Sequence, residues 1–161
     1  MSEQFSLTHR DARILGECYP PFADKIKLLL PICWEKKLPI HLTQGFRYFG
    51  EQDELYKAGK SNAKGGNSYH NFGLAVDFCF DSSPDSGIQD PYLEPFEGSF
   101  KAVADSAKEL GLEPGFYWKS FIDKPHIQAK ITIPIDDLKC TIIKGGIYAV
   151  YRLLNEKKGI L

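Results

Sequence analysis

Apolar residues recur along this chain in two periods, and the switch between them marks the elements. Thr8 is placed to cap a short helix from Asp11 to Cys18, which Pro20-Pro21 ends. Residues 22–37 carry Phe22, Ile26, Leu29, Leu30 and Cys33 at helical spacing. Pro21 suits the first turn of that helix, and Pro31 is expected to bend or shorten it. Residues 39–44 then alternate like a strand, with Ile40 and Leu42 inward. Phe49 to Gly59 predicts a helix closed by its glycine, and residues 60–69 form a polar, Gly-rich loop. Leu74 to Phe80 is the clearest strand: Leu74, Val76, Phe78 and Phe80 share one face, and Ala75, Asp77 and Cys79 the other. Residues 81–97 predict a loop, Ser99 to Leu110 an amphipathic helix stopped by Gly111, and His126 to about Ile133 a further strand. Residues 146–158 predict a terminal helix. The order lacks a βαβ rhythm, which predicts an α+β fold with a small, largely antiparallel sheet flanked by helices.

Length and charge narrow the class. The 161 residues suffice for one domain with a real core, residues 1–161, and a monomer is expected. A net charge of -1 gives no global field toward nucleic acid or acidic lipid. The longest apolar stretch, Ile26 to Trp34, is broken by Lys27 and Pro31 and is too short to insert in a membrane. The first ten residues have no apolar run behind a basic start, so no signal peptide is expected and synthesis in the cytoplasm is. Cys18, Cys33, Cys79 and Cys140 form no CxxC pair and are expected as reduced, mostly buried thiols.

One carboxylate stands where the pattern calls for a hydrophobe. Burying Asp77 unpaired costs roughly several kcal/mol, so it needs a partner. His70 precedes it through Asn71-Phe72-Gly73, and His126 lies opposite the apolar face of its own strand. Two histidines, one carboxylate and an open position make the usual plan of a catalytic zinc site. A straight strand would hold His70 and Asp77 more than about 20 Å apart, so the chain must fold back, which Gly73 permits. From residue types alone, a surface histidine and a turn-capping aspartate weigh equally with the metal. Asp123 reaches the same cavity only if Lys124-Pro125 turns; otherwise it caps that turn. His9 and His41 are read as surface residues.

Ser68-Tyr69-His70, then Gly73, Ala75 and Asp77, resembles the SxHxxGxAxD signature of zinc D,D-peptidases and L-alanyl-D-glutamate endopeptidases, which share a fold with the Hedgehog signalling domain. Gly45-Phe46-Arg47 with Glu51-Gln52 and Leu55-Tyr56, and the run Trp118 to Gln128, match the endopeptidase branch that includes phage endolysins. The match covers roughly residues 8–130, and 134–161 form a C-terminal extension. The resemblance implies one zinc ion on His70, Asp77 and His126, Asp123 as general base where many relatives carry Glu, and cleavage of the L-Ala–D-Glu bond in the peptidoglycan stem peptide. Arg47 follows a strand and precedes a helix, where it would stabilise developing charge or clamp a substrate carboxylate; its alternative is a surface pair with Glu51. Ser68 would bond the peptide backbone or orient His70. Pro114-Gly115-Phe116-Tyr117 departs from a Trp-Gly-Gly run common in relatives. An endolysin would act on the wall after release at lysis.

Rival readings are a D-alanyl-D-alanine carboxypeptidase with the same zinc triad, and a metal-stabilised wall-binding domain without catalysis. A thiol hydrolase on Cys79 is the third, with a small buried hydrophobe the better reading of that residue. Asp81, Asp85 and Asp90 match no calcium loop and are read as a solvated acidic stretch. The extension is basic, but Ile147, Val150, Leu153 and Leu154 make one apolar stripe, which predicts packing over wall binding.

Overall fold

The computed structural model describes residues 5–80 and 92–160. Helices α1 (His9–Gly16) and α2 (Pro20–Glu35) open the chain. The Thr8 hydroxyl accepts from the Asp11 amide and so caps α1 as its position predicts. Pro31 does not shorten α2, which continues to Glu35. Strand β1 (Ile40–Gln44) leads to α3 (Phe49–Lys57), and a 3-10 turn (Tyr69–Phe72) enters β2 (Ala75–Phe80). Helix α4 (Ser99–Glu109), strand β3 (Leu112–Pro114), a 3-10 turn (Gly115–Tyr117), strand β4 (His126–Ala129) and α5 (Ile135–Glu156) complete the order.

The four strands run β1-β2-β4-β3, each neighbouring pair antiparallel, so the architecture is α+β as the element order predicts. Helices α2 and α4 bring Phe22, Ile26, Leu29, Phe100, Val103 and Ala107 onto one face of the sheet, against Leu42, Val76, Phe78 and Ile127. Burial of this set is the main stabilising term. The central strand β2 is buried at every residue except Asp77, which is half-buried. Cys79 is fully buried, which removes it from contact with a substrate.

Three expectations fail here. The strand from His126 ends at Ala129, because Lys130 turns to solvent and Ile131 makes only an isolated bridge to Ile160. The terminal helix begins at Ile135, kinked at Gly146 rather than starting there. His41 is not a surface residue: its ring is about four-fifths buried and lies 3.3 Å from the buried carboxylate of Asp11. The acidic stretch of Asp81, Asp85 and Asp90 lies outside the described residues. Among them, no helix is long and apolar enough to cross a membrane.

Candidate metal centre

The sheet and one turn bring the candidate ligands together. Asp77 and His126 are directly paired across β2 and β4, so the pleat itself sets them side by side on one face. His70 arrives from the 3-10 turn, not from a strand. Gly73 closes that turn with φ +66°, a left-handed conformation that folds the chain back into β2. His70 thereby meets a residue that a straight chain would hold far away. Oδ1 of Asp77 lies 3.0 Å from His126 Nδ1 and 3.3 Å from His70 Nε2, and the two ring nitrogens are 3.3 Å apart.

The outer nitrogens decide what these inner ones can do. His70 Nδ1 donates to the Gly45 carbonyl at 2.7 Å, and His126 Nε2 donates to Gln128 Oε1 at 3.0 Å. A neutral imidazole carries one N–H, so each ring turns a bare lone pair inward. Two lone pairs and a carboxylate oxygen, all within 4.8 Å of one another, are three acceptors that repel without a shared cation. Two imidazoles and one carboxylate form a donor set suited to zinc and related divalent ions. Proton affinities carry the same imprint. Burial pushes the Asp77 carboxyl up, but His70 and the bond to His126 outweigh it and hold the group well below the carboxylate range. Burial pulls His126 down, yet Asp77 and Gln128 raise it on balance.

Arg47 faces the other oxygen of Asp77, with Nη2 3.6 Å from Oδ2. Its Nη1 donates to Gln52 Oε1 at 2.7 Å, and fully buried Gln52 donates in turn to Ser61 Oγ and the Ala63 carbonyl. Glu51 is not the partner that the surface reading supposed, because its carboxylate accepts from the Tyr48 amide and caps α3. Asp123 is delivered by the predicted turn: its carbonyl accepts from the His126 amide, and its own amide donates to Gly115. A methyl group on Gly115 would stand 2.6 Å from the Asp123 carbonyl oxygen, so glycine there lets this turn nest. Burial pushes the Asp123 carboxyl above its ordinary value, His126 opposes this, and Asp77 adds to it.

Arg47, Ser68, His70, Asp77, Asp123 and His126 all line one open cleft of about 640 Å³. Ser68 is half-buried at its wall, but the Gly45 carbonyl, not Ser68, orients His70. Sequence reasoning gave no role to Gln52, Glu113 and Gln128. Two of them leave a trace: Gln52 is the one buried residue of α3, and Gln128 follows His126 on the ligand face of β4.

A family model described as D-alanyl-D-alanine carboxypeptidase matches residues 61–129. The peptidoglycan L-alanyl-D-glutamate endopeptidase CwlK of Bacillus subtilis is 35% identical over 129 residues, covering 74% of this chain and 77% of that protein. Among solved structures, the L-Ala D-Glu endopeptidase ChiX of Serratia marcescens superposes with a TM-score of 0.60 at 22% identity, covering 85% of this chain and 96% of that one. DacB of Streptococcus pneumoniae gives 0.52 at 24% identity, covering 69% and 65%.

Proposed function

The chain belongs to the peptidase family of the Bacillus subtilis L-alanyl-D-glutamate endopeptidase, and on that premise we propose that it is a zinc-dependent peptidoglycan hydrolase cutting the L-Ala–D-Glu bond of the stem peptide. The observation that carries the reading is the set of three inward acceptors on the floor of an open cleft. On this reading His70, Asp77 and His126 hold one zinc ion, and residues 1–161 act as a single monomeric domain. Zinc bound there supplies Lewis acidity, which acidifies water and polarises a carbonyl.

The remaining steps belong to the protein. Asp123 takes a proton from the attacking water and returns it to the departing amine. Its raised pKa suits both halves of that task, since a stronger acid would accept the proton less readily. Asp is a methylene shorter than Glu, and the turn in which the Asp123 carbonyl accepts from the His126 amide holds residue 123 beside that ligand. Arg47 is held rigid by Gln52 and offers its fork to the free carboxylate of D-Glu or to charge developing on the carbonyl oxygen. Ser68 hydrogen-bonds the stem peptide from the cleft wall.

A second reading, trimming of terminal D-Ala, is favoured by the family model's own description. Incubation of zinc-loaded protein with purified sacculi separates the two. New D-Glu amino termini are expected. Release of free D-Ala alone would replace the endopeptidase by the carboxypeptidase, and no new ends at all would end the hydrolase reading. The endolysin role goes with the same proposal and is tested by lysis of washed bacteria with permeabilised membranes.

A further inference from the structure

The two histidines present opposite nitrogens to the candidate metal, and they are fixed by different means. His70 turns Nε2 inward because a backbone carbonyl, Gly45, takes its Nδ1 proton. His126 turns Nδ1 inward because a side chain, Gln128, takes its Nε2 proton. Gln128 can accept only if its amide is oriented with Oε1 toward the ring. Glu113 supplies that orientation. Its Oε1 accepts from Gln128 Nε2 at 3.4 Å and from Trp118 Nε1 at 3.0 Å. The sheet builds the relay, since Glu113 and Gln128 are directly paired across β3 and β4 and Gln128 shares its face with His126 two residues earlier. Trp118 closes it from outside, its ring 5.0 Å from that of His126.

We propose that Gln128, oriented by Glu113, is a positioning residue that fixes the coordinating nitrogen of His126. The proposal rests on the metallopeptidase reading. Without the Gln128 oxygen, the imidazole proton is free to move to Nδ1, where Asp77 Oδ1 waits at 3.0 Å to accept it. That tautomer sets a proton in the cation's place and ties up the carboxylate. Outer partners of ligating histidines are typically worth about 10–100-fold in metal affinity. Gln128→Leu removes the acceptor at nearly constant volume, Gln128→Glu restores an acceptor toward the ring but sets a second carboxylate against Glu113, and Glu113→Leu leaves the ring contact but removes the oxygen that orients the amide.

The test is zinc affinity, measured by competition with a chelating indicator, together with imidazole ¹⁵N NMR of the zinc-loaded protein. Gln128→Leu is expected to lose about 10–100-fold in affinity, Gln128→Glu to recover part of it, and Glu113→Leu to fall between wild type and Gln128→Leu. The spectra are expected to show His126 coordinated through Nδ1 and His70 through Nε2. Wild-type affinity in Gln128→Leu, or His126 coordinated through Nε2, overturns the proposal. Should Gln128→Leu not fold, unchanged affinity in Glu113→Leu overturns it instead. Wild-type protein that takes up no zinc fails at the earlier step, and the metallopeptidase reading falls with it.

Discussion

On the proposed reading, Asp123 separates binding from chemistry at the scale of one residue. It lines the cleft beside the three acceptors without being one of them. Asp123→Asn is therefore expected to keep zinc and lose turnover by about 10²–10⁴-fold. Near-normal hydrolysis by that variant would take Asp123 out of the base role. The sign of the pH effect follows from burial, which raises its pKa above 3.8. A base works deprotonated, so kcat/KM should rise with pH along an acid limb centred above the ordinary carboxylate value. A limb at or below 3.8 would contradict the assignment. Asp77 was legible in the sequence as a carboxylate set against an apolar pattern and His126 as a histidine opposite an apolar face, whereas His70, which follows a polar loop, joined them through the family resemblance. Their geometry was not legible, since it depends on a cross-strand pair and a 3-10 turn that no local spacing reveals.

Single side chains also fix elements to one another. Asp11 is the clearest case: it is buried in α1, its Oδ1 accepts from the Leu42 amide of β1 at 2.8 Å, and its Oδ2 accepts from Thr8 and faces His41. Asp11→Ala leaves the Leu42 amide unpaired and should cost about 1–3 kcal/mol, read as a shift in denaturant midpoint. Burial pushes the Asp11 carboxyl up, but the bonds from His41, Thr8 and Leu42 hold it below 3.8. A depressed folded pKa gives stability that is present above 3.8 and lost as pH falls through the lower folded value. The variant should therefore lose most at neutral pH and least in acid; a deficit independent of pH would argue against this contact. Gly115 fixes a turn rather than a helix. Gly115→Ala forces the Asp123 carbonyl away, so zinc affinity and turnover should fall together while far-UV circular dichroism stays native. Retention of both would mean that the turn does not set the site. Strand β3 and the first half of α5 escaped the sequence reading. A three-residue strand has no period to detect, and Asp136, Asp137, Lys139 and Lys144 dilute the apolar stripe before the kink.

Across the whole molecule, the α5 segment beyond the matched blocks is joined to the core rather than hung from it. Leu138, Val150 and Leu154 of α5 are fully buried within the same hydrophobic cluster as α2 and the sheet, and Tyr151 donates to the Glu17 carbonyl. Leu154→Ala should cost about 2–5 kcal/mol without changing affinity for purified walls. Lost wall affinity at unchanged stability would make the segment a binding element instead. The apolar stripe forecast this packing; the kink at Gly146 that lets both halves follow the core was not legible.

The central claim is that three side chains from separate parts of the chain share one cation. Metal analysis of purified protein tests it most directly. One zinc per chain is expected in the wild type and none in His70→Ala, Asp77→Ala or His126→Ala. Full occupancy in all three variants would contradict it.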